Sequence, residues 1–308
     1  VGNVTVGGTG KTPVVQKLAR ELTTAGYQVV VLSRGYKGSF SGEVGVVSNG
    51  EEVLMTPEEA GDEAYMLAES LPQVPVLVGS KRSKTGSYAC RFFEPEFIIL
   101  DDGFQHWQVN RDYDVVVVDA TNPFSNRWVL PRGKLREPLS SLERGHLLLL
   151  TKADQVPKKR LTEIKNELVR LNPGTEVITT SHAPAHLRKV GDKSCREIDL
   201  EGERVLAMSG IGAPQTFEQT LEDLGAEVAE KIRFQDHHVY TEQELMEVFT
   251  LASEKNVDRV VTTEKDAVSM NQEIITKINR QQIDLEVLGI EIEALDSEPK
   301  FAGILSRL

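Results

Sequence analysis

The run Thr5-Val6-Gly7-Gly8-Thr9-Gly10-Lys11-Thr12 carries the residue types needed to hold the phosphates of a nucleotide. Glycines let backbone N–H groups turn toward an anion, and a helix beginning near Lys11 adds the positive end of its dipole. Lys11 can then reach the β- and γ-phosphates, and the Thr12 hydroxyl can hold Mg²⁺. Thr5 stands where the strict phosphate-loop pattern has its first glycine. The plainer alternative is an ordinary glycine-rich turn between a strand and a helix. Gly10-Lys11-Thr12 and the apolar patterns on either side argue against it.

A second cluster supplies carboxylates. Phe97 to Leu100 is an apolar run that leads straight into Asp101-Asp102-Gly103-Phe104-Gln105-His106. An aspartate at the C-terminal end of a parallel strand faces the ligand crevice and can hold Mg²⁺ or its water. Val115 to Asp119 repeats the pattern, which leaves Asp119 as the alternative metal aspartate, and a simple polar turn is the bland reading of Asp101 and Asp102. Ser33-Arg34-Gly35-Tyr36 and Arg136-Glu137-Pro138 add arginines whose planar forks suit phosphate, although structural ion pairs would use the same residues. Asp62, in Gly61-Asp62-Glu63, reads on its own as an acid favoured at a helix start.

Asp236-His237-His238 sets histidines beside a carboxylate, which suits proton transfer and, less well without cysteine partners, a metal. Thr263-Glu264-Lys265-Asp266 closes a later strand. Thr151-Lys152-Ala153-Asp154 has the form of the base-reading motif of GTPases. A regulatory GTP-binding protein is therefore the rival reading, and a P-loop-like protein without chemistry is a third.

The elements that must position these residues follow from periodicity. Short β-rich runs alternate with helical patterns, so the fold expected is α/β: a P-loop NTPase-like, mostly parallel sheet between helices, with a second, smaller α/β domain. The first unit should hold strands at Asn3 to Val6, Gln28 to Ser33, Val74 to Val78, Phe97 to Leu100, Asp114 to Asp119, His146 to Thr151 and Glu176 to Thr180. Its first helix should follow Lys11 on the apolar spacing of Val14, Val15, Leu18, Ala19 and Leu22, and a second should open at Thr56-Pro57-Glu58-Glu59. Residues 182–202 read as a linker or a small extended connection, and the domains expected are 1–182 and 183–308. In the second, strands are expected at Val205 to Ser209, Val260 to Thr263 and Leu285 to Ile292, with helices near Pro214 to Leu224, Glu242 to Ala252 and Gln272 to Arg280.

Composition narrows the partners. The 308 residues carry 35 basic and 47 acidic side chains, a net charge of −12, so an anionic ligand must be held by a local cluster and non-specific nucleic-acid binding is disfavoured. Cys90 and Cys195 are too few for a disulfide framework or a thiolate metal site, which fits a reducing compartment. The longest aliphatic runs fall far short of the ~20 residues of a bilayer span. The sequence opens at Val1 inside an expected strand, which suggests that a segment precedes it.

Taken in order, the phosphate loop through Pro13, Leu32-Ser33-Arg34-Gly35-Tyr36, Gly61-Asp62-Glu63, Asp101 to His106, Leu135-Arg136-Glu137-Pro138, Gly210 to Pro214, Asp236-His237-His238 and Thr263 to Ala267 resemble the tetraacyldisaccharide 4'-kinase family of lipid A biosynthesis. The resemblance covers nearly the whole chain. It implies transfer of the γ-phosphoryl group of ATP, with Mg²⁺, to the 4'-hydroxyl of a tetraacylated glucosamine disaccharide 1-phosphate, giving lipid IVA. It further implies two α/β/α domains joined by a β-stranded linker. Peripheral attachment to the anionic cytoplasmic face of the bacterial inner membrane, through an N-terminal helix, is implied as well. By the same resemblance the metal-associated carboxylates are Asp101, Asp102 and Glu137 beside Thr12, the base is Asp62, and His237 is its partner from the Asp-His-His motif. Arg34, Lys37, Arg132, Lys134 and Arg136 are the cations expected to face phosphate or lipid headgroups.

Overall fold

Successive residues of the most apolar runs feed two different cores. In Val115–Asp119, Val115 and Val117 join one buried cluster, while Val116 and Val118 join another. Leu147–Thr151 divides in the same way, with Leu147 and Leu149 on one side and Leu148 and Leu150 on the other. Continuous aliphatic sequence is therefore what a parallel strand needs when helices cover both faces of its sheet.

The computed structural model describes residues 1–295 apart from 193 and 237, and it divides into two compact units. The first runs from Val1 to Ala183 and regains the chain at Ile292; the second is Pro184–Glu291. The smaller unit thus ends before the last strand does.

In the first unit, α1 (Lys11–Thr24) leads to β1 (Val29–Ser33), β2 (Gly45–Ser48), α2 (Pro57–Ala60), α3 (Asp62–Ser70), β3 (Val76–Val78), α4 (Arg82–Phe92) and β4 (Phe97–Leu100). Then come β5 (Val115–Asp119), β6 (Leu147–Thr151), α5 (Lys158–Leu171) and the first part of β7 (Glu176–Lys189), which crosses into the second unit at Pro184. β1 pairs in parallel with β3 and β4, β2 closes that edge antiparallel to β3, and β5, β6 and β7 pair in parallel.

The opening segment lies between β4 and β5. Gly103 N–H donates to Val1 O at 2.9 Å, Gly2 N–H to Val115 O at 3.0 Å and Val117 N–H to Gly2 O at 2.8 Å. The strand expected over Asn3 to Val6 is reduced to isolated bridges at Gly2 and Thr5. A Cβ at Gly2 would stand 2.6 Å from Phe104 Cβ, so this close passage admits only glycine.

The helix start read at Thr56 is present as a reciprocal cap: Thr56 Oγ1 accepts from Glu59 N–H at 3.3 Å, and Glu59 Oε2 accepts from Thr56 N–H at 2.9 Å. The helix breaks after Ala60, because Gly61 adopts φ 82° with Tyr36 O only 2.4 Å from where a Cβ would sit. It resumes at Asp62.

The second unit contains β8 (Arg204–Ser209), α6 (Pro214–Asp223), β9 (Glu227–Arg233), α7 (Glu242–Glu254), β10 (Arg259–Thr263), α8 (Glu264–Val268), α9 (Gln272–Ile278) and most of β11 (Asp284–Ala294). β10 pairs in parallel with β8 and β11, and β8 with β9. The stretch expected as a linker or a small extended connection begins as strand, since β7 continues to Lys189. β9 is absent from the expected strands, because it is half-exposed along its length and has no apolar run to announce it.

Candidate active site

In the first unit Arg34, Asp101 with Asp102, Asp119 and Thr151 lie at or just beyond the C-terminal ends of parallel strands, whereas Asp62 opens α3 and Arg136 and Glu137 come from the long loop after β5. The phosphate loop is anchored from below: Asn3 Nδ2 donates to Thr9 Oγ1 at 2.9 Å, and Thr151 Oγ1 donates to Thr9 O at 2.9 Å. Gly7 and Gly10 take left-handed φ values of 118° and 84°. No protein atom lies within 4 Å of where a Cβ would stand on Gly7 or Gly8, so open space over the loop leaves room for phosphate oxygens. Lys11 and Thr12 open α1, with Gly10 as the residue before it.

Lys11 Nζ lies 3.5 Å from Asp102 Oδ1, and Arg136 Nη1 donates to both Asp102 oxygens at 2.9 and 2.7 Å. Burial opposes the charge of Asp102, but Lys11 and Arg136 outweigh it and hold this carboxyl below its ordinary range. Its neighbour behaves oppositely. Asp101 is 2% exposed, accepts from Ser33 Oγ at 3.1 Å, and is pushed up by burial, with Lys11 opposing and Asp102 adding to the rise.

The Asp-Asp-Gly-Phe-Gln-His and Leu-Arg-Glu-Pro blocks, far apart in sequence, form one network. Gln105 Nε2 donates to Asn3 O and to Glu137 Oε1, both at 2.9 Å, while its Oε1 accepts from Arg136 at 3.3 Å. Arg144 closes the chain on Glu137 with donors at 2.8 and 3.1 Å. Asp102 and Glu137 are thus each engaged by a guanidinium. Among the described residues no group of three or more His, Cys, Asp or Glu side chains is gathered as a metal site. The donors present, Thr12 with Asp101 beside an open phosphate cradle, fit a Mg²⁺ held largely by phosphate oxygens and water.

Asp119, the alternative metal aspartate, accepts from Lys152 Nζ at 2.5 Å and from Thr121 Oγ1 at 2.6 Å. The Thr-Lys-Ala-Asp motif thus braces the phosphate loop through Thr151 and neutralises Asp119 through Lys152.

Asp62 begins α3 where the Arg34–Gly38 turn packs against Gly61. A cavity of about 290 Å³ adjoins that turn, lined by Arg34, Tyr36, Lys37, Phe40, Glu59 and Ser80 among others. Arg82 is a site residue that sequence reading missed. It is 2% exposed, donates to Gly79 O and to Asp101 O, and is lowered to about 10 by burial, with Arg34 contributing. Its signal is faint: one arginine among polar residues at the start of α4.

In the second unit, His237 lies outside the described residues. Of its neighbours, Asp236 pairs with Lys265, and His238 Nε2 lies 3.1 Å from Glu244 Oε1 while its ring stacks on Phe234. Asp266 accepts from Gly210 N–H at 2.8 Å, Tyr240 OH at 2.7 Å and Thr263 Oγ1 at 2.5 Å. Burial, then Asp266, drives the Tyr240 hydroxyl upward.

Comparison with known proteins agrees with this geometry. A family profile described as tetraacyldisaccharide-1-P 4'-kinase, LpxK, matches residues 1–308. A protein named tetraacyldisaccharide 4'-kinase from Halothermothrix orenii is 43% identical over 303 residues, covering 95% of this chain and 79% of the relative. Another of the same name from an Anaeromyxobacter strain is 43% identical, covering 100% of this chain and 84% of the relative. The crystal structure of LpxK from Aquifex aeolicus in complex with ATP superposes with a TM-score of 0.75 at 29% identity, covering 99% of this chain and 86% of that one. With a nucleotide cradle, a charged strand-end network and matches running the full length, this chain belongs to the tetraacyldisaccharide-1-P 4'-kinase family.

Proposed function

We propose that the chain transfers the γ-phosphoryl group of ATP to the 4'-hydroxyl of a tetraacylated glucosamine disaccharide 1-phosphate, yielding lipid IVA. The observation that carries this reading is the meeting of Lys11 and Asp102 at the mouth of an open glycine cradle, with Asp101 buried behind them.

The acceptor is a neutral alcohol, so the barrier falls mainly through in-line positioning and charge stabilisation. Lys11 leaves Asp102 to meet the transferring phosphoryl oxygens, and Arg136 remains to keep Asp102 neutralised. Thr12 and Asp101 would hold Mg²⁺, which supplies charge neutralisation on the β- and γ-phosphates. Asp102 and Glu137 then act by orienting cations around that centre. Asp62 accepts the hydroxyl proton, and His237 is its proposed partner. The sugar lies along the Arg34–Gly38 turn, whose cations suit its 1-phosphate.

Family membership removes the regulatory GTP switch, and Thr151 and Lys152 have structural partners that account for the motif that suggested it. No described helix is long and apolar enough to cross a membrane. Peripheral attachment to the anionic cytoplasmic face of the bacterial inner membrane is the proposal that suits an acylated substrate. The net charge of −12 keeps nucleic acid out of the proposed partners.

The test is transfer of labelled phosphate from ATP to the disaccharide 1-phosphate lipid in detergent micelles, with GTP in parallel. Labelled lipid from ATP is expected; its absence would remove the reading.

A further inference from the structure

Within the first unit a short tip beside the phosphate loop breaks the usual rule for surfaces. Trp128, Val129 and Leu130 are consecutive, and 49%, 38% and 55% exposed. Three adjacent large apolar side chains held in water mark a binding surface rather than scatter.

The tip is shaped, not slack. Leu130 N–H donates to Leu135 O at 2.8 Å, Leu135 N–H to Trp128 O at 3.1 Å, and Gly133 N–H to Val129 O at 3.1 Å. A Cβ on Gly133 would lie 2.1 Å from both Trp128 O and Asn126 Oδ1, so the turn closes only around glycine. The root of the tip is tied to the nucleotide cradle: Val6 N–H donates to Lys134 O at 2.8 Å and Arg136 N–H to Val4 O at 2.7 Å.

Charge selects the occupant. In a chain with net charge −12, residues 121–136 contain no Asp or Glu and four basic residues: Arg127, Arg132, Lys134 and Arg136. Arg127 is engaged by Glu167 and Arg136 by Asp102, while the Arg132 guanidinium lies 3.7 Å from the centre of the Trp128 ring. An indole and a leucine flanked by cations match the boundary between anionic headgroups and acyl chains.

We infer that Trp128, Val129 and Leu130 form a wedge that enters an anionic lipid surface and, through the backbone pairing of residues 134–136 with Val4 and Val6, holds the phosphate loop at that surface. The inference rests on the acylated-substrate reading but concerns a different property, where the enzyme docks.

The test uses the full chain carrying Trp107→Phe, so that Trp128 is the remaining indole. With vesicles of phosphatidylethanolamine and phosphatidylglycerol, Trp128 emission should shift to the blue and lose access to iodide, and the shift should weaken in high salt or with phosphatidylcholine alone. Adding Trp128→Ser and Leu130→Ser to the otherwise unaltered chain should lower vesicle partitioning on the order of 30-fold, from the apolar area withdrawn. Transfer in detergent micelles should stay within about twofold, because neither residue belongs to the proposed chemistry. Leu130→Asp, a single exposed change, gives the same partitioning test if the double variant fails to fold. Unshifted Trp128 emission on vesicle-bound protein, unaltered partitioning of the variants, or a concentration-dependent shift without lipid would each overturn the wedge. Loss of labelled lipid from the unaltered chain would instead overturn the kinase reading.

Discussion

Asp101 and Asp266 occupy matching places in the two units. Each follows the end of a parallel strand, and each is 2% exposed. Asp266 is met by a backbone N–H, a phenol and a threonine hydroxyl, and through them it ties the Gly210 turn to Tyr240. Asp101 has the Ser33 hydroxyl at 3.1 Å and the field of Lys11, and burial still raises its proton affinity. A carboxylate satisfied by fixed donors holds a fold together; one buried without that satisfaction is kept for a partner that arrives later. Burial alone therefore does not single out a functional aspartate; Asp101, with one hydroxyl donor where Asp266 has three donors, is the candidate for a ligand.

Substitutions at the two aspartates and at the groups around Asp101 should have effects of different kinds. Lys11→Ala should reduce kcat/KM for ATP by about 10,000-fold, since it removes the main fixed cation at the transferring group, and the apparent affinity for ATP should fall with it. Steady-state transfer assays that vary ATP check both quantities, and near-normal turnover would end the assignment of the cradle.

Asp62→Asn is expected to lower kcat by about 1,000-fold while nucleotide binding, read by calorimetry, stays near its starting value. Unchanged turnover would remove Asp62 as the base.

Asp266→Ala leaves two buried donors and a half-buried hydroxyl without their acceptor. A loss of about 3 kcal/mol is expected in denaturant unfolding, expressed in the second unit. A loss below about 0.5 kcal/mol would erase the contrast between the two aspartates.

Asp101→Asn should abolish transfer yet stabilise the fold by on the order of 1 kcal/mol at pH 7. The sign follows from linkage. A carboxyl whose folded pKa is raised favours folding when protonated, and that advantage is lost as pH rises through the folded value. The stability gain of the asparagine variant should therefore shrink as pH is lowered through the raised folded pKa, below which the wild-type carboxyl is protonated as well. Asp102 contributes in the opposite sense, because its lowered folded pKa gives stability that is present above the unfolded value and lost as pH falls through the folded one. Melting curves across pH for the two asparagine variants should diverge accordingly.

Much of the candidate site is legible in the amino-acid sequence. Lys11 and Thr12, Asp101 and Asp102, and the family blocks announce themselves because phosphate chemistry constrains local sequence tightly. Gln105 was visible only as a letter in a motif, and nothing in the sequence shows it bridging Asn3, Arg136 and Glu137. Arg82 escaped notice because a buried arginine at a helix start looks like any surface arginine until its neighbours are known. Among the elements, β5 and β6 could be read to within a residue, since double-sided burial demands unbroken aliphatic runs. β2 and β9 could not, because an edge strand needs only backbone partners on one side.

The α/β class and the place of the phosphate loop are written locally in the chain, because periodicity and glycine-lysine spacing are local properties, while the resemblance to the family rests on the ordered motif blocks from the phosphate loop to Thr263-Glu264-Lys265-Asp266-Ala267. Tertiary structure alone decided which charges meet: Asp102 with Lys11 and Arg136, Glu137 with Arg144, Asp119 with Lys152. The reason is physical. Electrostatic roles depend on distance and burial across strands remote in sequence, and identical carboxylates become anchors, switches or reserves only when those distances are set.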